Sequence, residues 1–229
     1  MTAMATAERI EELQQRVHRM QGTASSRPLP TLPALTPVVQ LRSGTSYSTD
    51  SPLLAMMLLA GPSQAGAWAA VVGVPEFGLE AASALGVVLE RTVVVPEPGA
   101  AWLSVVGALA EVMGVVVARP SAAVPPTQAE RLSSRLRQRD STLIALTGDA
   151  RDWPRPEARL TLQTSSWSGI GRGHGHLAAR RATVTAERGG RLRQTELWLP
   201  GGVPVVELPA AEARADLASI SRLPTVRAS

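Results

Sequence analysis

Residues 44–51 have part of the spacing of a phosphate-binding loop. In the pattern G-x-x-x-x-G-K-[ST], backbone N–H groups wrap the phosphates, a lysine reaches the outer phosphates, and a hydroxyl holds Mg²⁺. Gly44 and Ser51 fit this pattern, but Thr49 stands at the second glycine and Asp50 at the lysine. A carboxylate at that position would repel a phosphate. The pattern indicates a degenerate nucleotide loop, or else an ordinary turn that caps the helix beginning at Pro52.

A second requirement of a phosphate-loop enzyme also fails. The sequence holds 23 arginines and no lysine, and the planar guanidinium is a poor replacement for a compact ammonium. An acid that holds Mg²⁺ is expected where a later strand ends, but the apolar residues 115–118 are followed by Arg119 and Pro120. We therefore predict no catalytic residues, no cofactor and no metal site.

A glycine-rich segment, residues 165–177, is the main candidate for nucleic-acid contact. It has glycines at every second position from 169 to 175, and basic and aromatic side chains lie in and beside it. We predict that Arg172, Arg180 and Arg181 bind DNA phosphates and that Trp167 stacks on a base. A long glycine hairpin without a ligand is the alternative. Metal binding by its two histidines would need further ligands that the sequence does not place.

Positive charge is concentrated in one part of the chain. Residues 119–193 carry 14 arginines and 6 acidic residues, a net charge of +8, whereas the whole chain has +4. Such a segment favours an anionic partner, with DNA first. Solvated arginines on a sheet surface are the alternative.

Short apolar stretches alternate with helical ones between residues 39 and 148. The pattern predicts helices from Ser51 to about residue 60 and over 78–85, 100–112 and 127–139, the last opened by a capping box at Thr127 and Glu130. Strands are predicted at 67–74, 91–95, 115–118 and 142–147. After residue 149, strands are predicted at 159–166, 177–187 and 192–199, with a turn at 188–190. We predict an α/β fold with a largely parallel sheet and an antiparallel extension.

The ends of the chain are expected to be organised differently from residues 39–200, the predicted core. Residues 1–22 predict a helix whose narrow apolar stripe includes Leu13 and Val17. Residues 23–38 are rich in proline and predict a linker, and residues 201–229 predict a flexible tail. We expect the helix stripe, together with Trp198, Val205 and Leu208, to contact a protein partner, or else to fold back on the same domain.

Composition and the N-terminal residues bear on the compartment. Cysteine is absent, which excludes disulfides and thiolate metal sites. The first residues are charged early and contain no apolar signal region. Residues 52–75 are mostly apolar, but residues 61–64, Gly-Pro-Ser-Gln, interrupt them, so we expect no membrane span and no membrane partner. These features are compatible with the cytoplasm.

Several of these stretches resemble known proteins. Residues 47–52, 67–73, 85–87 and 91–96 resemble the RecA recombinase core, in which Tyr47, Asp50 and Ser51 match the loop's tyrosine, glutamate and first serine. Glu76 lies near the position of the recombinases' catalytic glutamate. The chain more closely resembles the ImuA-type proteins of actinobacteria, through residues 7–20, 58–62, 66–68, 71–75, 78–80, 103–110, 167–177 and 197–200, with 167–177 the most specific part.

The resemblance implies a RecA-like fold and a non-catalytic adaptor in SOS-induced translesion DNA synthesis and mutagenesis. The implied partners are ImuB, a homologue of Y-family polymerases, and an error-prone replicative-type polymerase. RecA itself and DNA are further candidates. A divergent RecA-fold ATPase and a stand-alone DNA-binding module are the alternative functions.

Overall fold

The computed structural model describes residues 26–148, 153–168, 179–199 and 203–204. For residues 164–168, 179–180 and 203–204 it describes only the backbone. The predicted N-terminal helix with Leu13 and Val17 lies outside these residues. So do Arg172 of the glycine-rich segment, and Val205 and Leu208 of the tail.

The described strands form one sheet with the order β3-β2-β4-β5-β1-β6-β7-β8-β9. Strands β1 to β6 pair in parallel, and β6 to β9 pair antiparallel. The predicted α/β fold with an antiparallel extension is confirmed, and it is consistent with a RecA-like fold. The strands are β1 Ser46–Thr49, β2 Ala69–Val72, β3 Thr92–Val95, β4 Val115–Ala118, β5 Thr142–Leu146, β6 Ala158–Ser168, β7 Ala179–Arg188, β8 Arg191–Leu199 and β9 Val203–Pro204.

Four α-helices in the described residues cover the parallel strands, and none of them is long and apolar enough to cross a membrane. They are α1 Pro52–Gln64, α2 Leu79–Ala84, α3 Trp102–Leu109 and α4 Pro126–Arg139. Helices α1 and α2 pack on one face of the sheet, and α3 and α4 pack on the other. Ala69 and Val71 of β2 enter the first core, whereas Ala70 and Val72 enter the second. Burial on both faces explains why these strands are continuously apolar.

The prediction of a linker over residues 23–38 is wrong for its described part. Leu35 is fully buried in the core beneath α1, and Leu29 N–H donates to the Leu41 carbonyl at 2.8 Å. A Cβ at Gly61 would lie 2.5 Å from the Pro30 carbonyl oxygen. Gly61 therefore allows this segment to lie directly against α1. The apolar residues between the prolines make the segment a part of the core.

The structure also corrects two predicted helix boundaries. Helix α1 continues to Gln64 with Pro62 inside it, beyond the end expected near residue 60. Helix α4 begins at Pro126, so Thr127 lies within the first turn and makes no capping bond. A proline at the first helical position needs no N–H acceptor and already has a helical φ, which sets this start. The predicted start of α1, with Ser51 as N-cap, is confirmed.

Replacing Leu35 with Ala tests whether the N-terminal segment belongs to the core. We expect a loss of about 2–5 kcal/mol in the free energy of unfolding, because a buried leucine leaves a cavity. Leu192→Ala is the matched control, since Leu192 is 67% exposed, and we expect a change within about 0.5 kcal/mol. Urea unfolding of both variants measures the difference. Equal midpoints would restore the linker interpretation.

Candidate functional site

The turn between β1 and α1 is where the sequence predicted a degenerate nucleotide loop. Only Asp50 and Ser51 connect the end of the strand to the start of the helix. Gly44 lies at the opposite end of β1, where its N–H donates to the Ser141 carbonyl at 2.9 Å. A glycine is needed here because φ is positive, at 72°, and because a Cβ would lie 3.2 Å from the Arg137 Cα. Including Gly44 in the loop is therefore wrong, because a whole strand separates it from the helix.

The polar groups at this turn bind one another. Thr49 Oγ1 accepts from the Ser51 N–H at 3.2 Å, and Ser51 Oγ accepts from the Leu54 N–H at 3.4 Å. The Ala55 N–H donates to the Ser51 carbonyl, and Pro52 has no N–H. A phosphate at a helix N-terminus needs free backbone donors. Here the Ser51 and Leu54 N–H groups are already bonded and Pro52 supplies none, so few backbone donors are left for a phosphate.

Asp50 adds a negative charge to the same turn. Its side chain is exposed, and Oδ1 accepts from the backbone N–H of Leu162 on β6 at 3.4 Å. A carboxylate beside a helix N-terminus is stabilised by the helix dipole. Asp50 therefore occupies the electrostatic position that a bound phosphate would take, and it would repel one.

Tyr47 has a structural position within β1. Its side chain is fully buried, and its hydroxyl accepts from the Arg42 N–H at 2.9 Å and donates to the Gln40 carbonyl at 3.4 Å. These bonds fix the segment that precedes β1. Burial raises the pKa of the Tyr47 phenol above its ordinary value.

A cleft of about 420 Å³ lies at the carboxyl ends of β2, β3 and β4. The connections that follow β2 and β4 leave in opposite directions, the arrangement in which α/β sheets bind ligands. Trp102 lines the cleft, and its buried Nε1–H has no acceptor in the described chain.

The charges around this cleft do not favour a phosphate. Arg119 lines it and forms a salt bridge with Glu76, the residue that the resemblance to recombinases places near their catalytic glutamate. The hydrogen bond from Arg119 holds the pKa of Glu76 below its ordinary value. Glu97 lines the cleft directly and adds another carboxylate near Arg119. Two acids and one arginine leave no excess positive charge.

The antiparallel strands bring together two residues that the sequence assigned to different sites. Arg181 on β7 stands directly opposite Trp198 on β8, and Trp167 on β6 stands opposite Arg180. Arg181 forms a salt bridge with Glu196, with Nε at 2.9 Å from Oε2. A DNA phosphate would have to compete with this carboxylate for Arg181. DNA contact by these residues stays a prediction.

Sequence reasoning missed a basic surface on α4. Arg131, Arg135 and Arg139 are exposed and follow one another at intervals of four residues. The same helix buries Ala129, Leu132 and Leu136 against the sheet. The interval was readable from the sequence, because residues four apart share a helix face.

Comparison with known proteins places the core of this chain in a family. Residues 34–155, just over half of the chain, match the family called MT3502 N-terminal domain. The chain belongs to this family. The match begins within the segment beneath α1 and includes strands β1 to β5 and all four helices. Strands β6 to β9 lie beyond it.

The chain is also similar to a mycobacterial protein. The Uncharacterized protein Rv3395c of Mycobacterium tuberculosis (strain ATCC 25618 / H37Rv) is 32% identical over 115 residues. The match covers 50% of this chain and 55% of the relative. The aligned part of the chain thus spans about half the length of this curated relative.

The raised pKa of Tyr47 predicts a specific response to alkaline pH. A phenol with a raised pKa keeps its proton in the folded state above pH ~10, where the unfolded state releases it. Stability that is fully present below that pH is therefore lost as the pH rises through the folded pKa. Tyr47→Phe removes this dependence.

Near-ultraviolet absorbance can follow this ionisation directly, because Tyr47 is the single tyrosine of the sequence. We expect the tyrosinate signal to appear at a pH above the ordinary pKa of a phenol, and together with unfolding. A reversible titration near pH 10 in the folded protein would contradict the buried position.

Proposed function

We propose that this chain is a non-catalytic adaptor of the ImuA type, which binds an ImuB-like polymerase homologue and an error-prone replicative-type polymerase during SOS-induced translesion DNA synthesis. The observation that carries the proposal is the closed turn between β1 and α1. There Ser51 Oγ accepts from the Leu54 N–H, Pro52 has no N–H, and the Asp50 carboxylate stands at the helix end where a phosphate would bind. A RecA-like core without this site is suited to binding rather than to nucleotide hydrolysis.

The antiparallel strands supply a suitable contact surface. Ala182, Val184 and Leu197 point into the core beneath α1. The other face of β7 and β8 contributes no residue to the second core, which α3 and α4 cover. This face therefore has no helix packed on it in the described chain.

The side chains on this face are those expected of a protein interface. Half-buried Trp198 and Arg181 lie side by side, and the Arg181–Glu196 salt bridge borders them. Tryptophan and arginine are enriched among residues that dominate binding energy. The proposal places the polymerase partner on this face, which we call the β7–β8 face.

The relationship to a mycobacterial protein is consistent with an actinobacterial chain of the ImuA type. The proposed location is the cytoplasm at the nucleoid. RecA is a further candidate partner. A stand-alone DNA-binding module is the second candidate function, and the arginines of α4 favour it. A divergent ATPase would require a cation from another protein, and it would also have to open the closed turn.

A pull-down of the tagged full chain from DNA-damaged cells, with and without nuclease, tests the adaptor role. We expect polymerase subunits to remain after nuclease treatment. Trp198→Ala should reduce their recovery roughly tenfold or more, because truncating a central interface tryptophan costs about 2 kcal/mol or more. Leu192→Ala, on the same strand and face, should change recovery by no more than about twofold.

Thermal melting of both variants establishes that they remain folded. Recovery that disappears with nuclease would contradict the adaptor role and leave a DNA-binding module. Equal recovery with both variants would remove the β7–β8 face as the contact surface.

A further inference from the structure

Three arginines form a line along the exposed side of α4. We call Arg131, Arg135 and Arg139 the arginine stripe; each lies four residues, or about 6 Å along the helix axis, from the next. All three side chains are exposed, as is the neighbouring Arg137. Buried Leu132 and Leu136 anchor the helix on the sheet, so the direction of the stripe beside them is fixed.

The stripe keeps most of its positive charge. Glu130, the acidic residue of α4, is bound by Arg155 at 3.1 Å, and Asp140 after the helix is bound by Arg27 at 2.5 Å. Arg139 lies 3.9 Å from Glu111. Arg131 and Arg135 have no acidic partner in the described chain. Glu130 and Asp140 are therefore paired with arginines outside the stripe, and Glu111 makes only a long contact with Arg139.

The adjacent helix α3 accommodates Arg135 without neutralising it. A Cβ at Gly107 would lie 2.6 Å from Arg135 Nη1, so the guanidinium rests over this glycine. The sequence of α3, WLSVVGAL, contains no acid. The guanidinium is thus supported by α3 while its charge stays available to an anion.

From this arrangement we infer that the arginine stripe binds the phosphate backbone of a nucleic acid. The remaining exposed residues of α4 are Pro126, Thr127, Gln128, Glu130, Arg137 and Gln138. None is a large apolar or aromatic side chain. A protein partner would be expected to bury such anchors, whereas nucleic-acid interfaces are polar and strongly positive.

The inferred surface goes beyond the adaptor role. It lies on α4, away from the β7–β8 face and from the arginines of β7, and phosphate binding here needs no polymerase. The contacts are to phosphates, so they position a nucleic acid without reading its sequence. The stripe therefore predicts affinity that depends strongly on salt and weakly on sequence.

Salt titration of the full chain with a fluorescein-labelled oligonucleotide, single-stranded and as a duplex, tests this surface. In fluorescence anisotropy, the association constant is followed as the salt concentration rises. Arg131→Ala/Arg135→Ala should make the negative slope of its logarithm against log salt shallower by about 2, one for each lost phosphate contact. At ~0.1 M salt the affinity should fall roughly tenfold or more. Arg191→Ala/Arg193→Ala is the matched control, because it also removes two exposed arginines. It should leave the slope unchanged.

Other outcomes would overturn the inference. Equal slopes for the two double variants, with unchanged melting temperatures, would mean that only net charge matters. A loss confined to Arg180→Ala/Arg181→Ala would move the contact to β7. If Arg131→Ala/Arg135→Ala binds both oligonucleotides normally but no longer binds poly-glutamate, the stripe binds an acidic protein instead of a nucleic acid. The pull-down result is independent of these measurements, so failure of the adaptor role and failure of the stripe are distinguishable.

Discussion

The position of β1 at the junction of the two halves of the sheet constrains the rest of the structure. It pairs with β5 on one side and β6 on the other, and so joins the helix-covered parallel strands to the antiparallel extension. Its side chains also hold the neighbouring loops. Tyr47 binds the segment before the strand, and Ser46 Oγ accepts from Trp153 Nε1 at 2.9 Å. Because all four residues of β1 are buried, the two-residue turn that follows is fixed in place.

That rigidity determines which functions the core can support. The turn bonds the Ser51 and Leu54 N–H groups internally and places Asp50 at the helix end, so the fold keeps the strand–turn–helix arrangement with a turn that disfavours a phosphate. The β7–β8 face and the arginine stripe of α4 are the two surfaces proposed for binding. Among the described residues, no helix covers the β7–β8 face. Helix α4 buries its leucines while its arginines face solvent. One surface combines an aromatic ring with an ion pair, and the other is almost entirely cationic.

The sequence predicted the core well where local signals were unambiguous. The run Val115–Ala118 is a strand with the expected bounds, and Gly189 and Gly190 form the expected turn with positive φ values. The prediction of a linker over residues 23–38 was wrong because it was based on the prolines and gave no weight to the apolar residues around Leu35. The predicted turn at 188–190 placed β7 beside β8. The register that sets Arg181 opposite Trp198, and the face that the core covers, came only from the structure. The salt bridges of Arg119 and Arg181 depend on contacts between distant elements, which no local pattern encodes.

Isothermal titration calorimetry with Mg²⁺-ATP, on the natural chain and on Asp50→Lys, tests the central claim that the β1–α1 turn is closed. The account predicts no saturable heat in either protein, because Pro52 and the Ser51 cap remain when the lysine is supplied. Asp50→Asn separates loss of the carboxylate from gain of the ammonium. Saturable Mg²⁺-dependent binding by the natural chain would contradict the account and favour a divergent ATPase. Binding by Asp50→Lys alone would mean that the charge of Asp50, rather than the geometry of the turn, excludes the nucleotide.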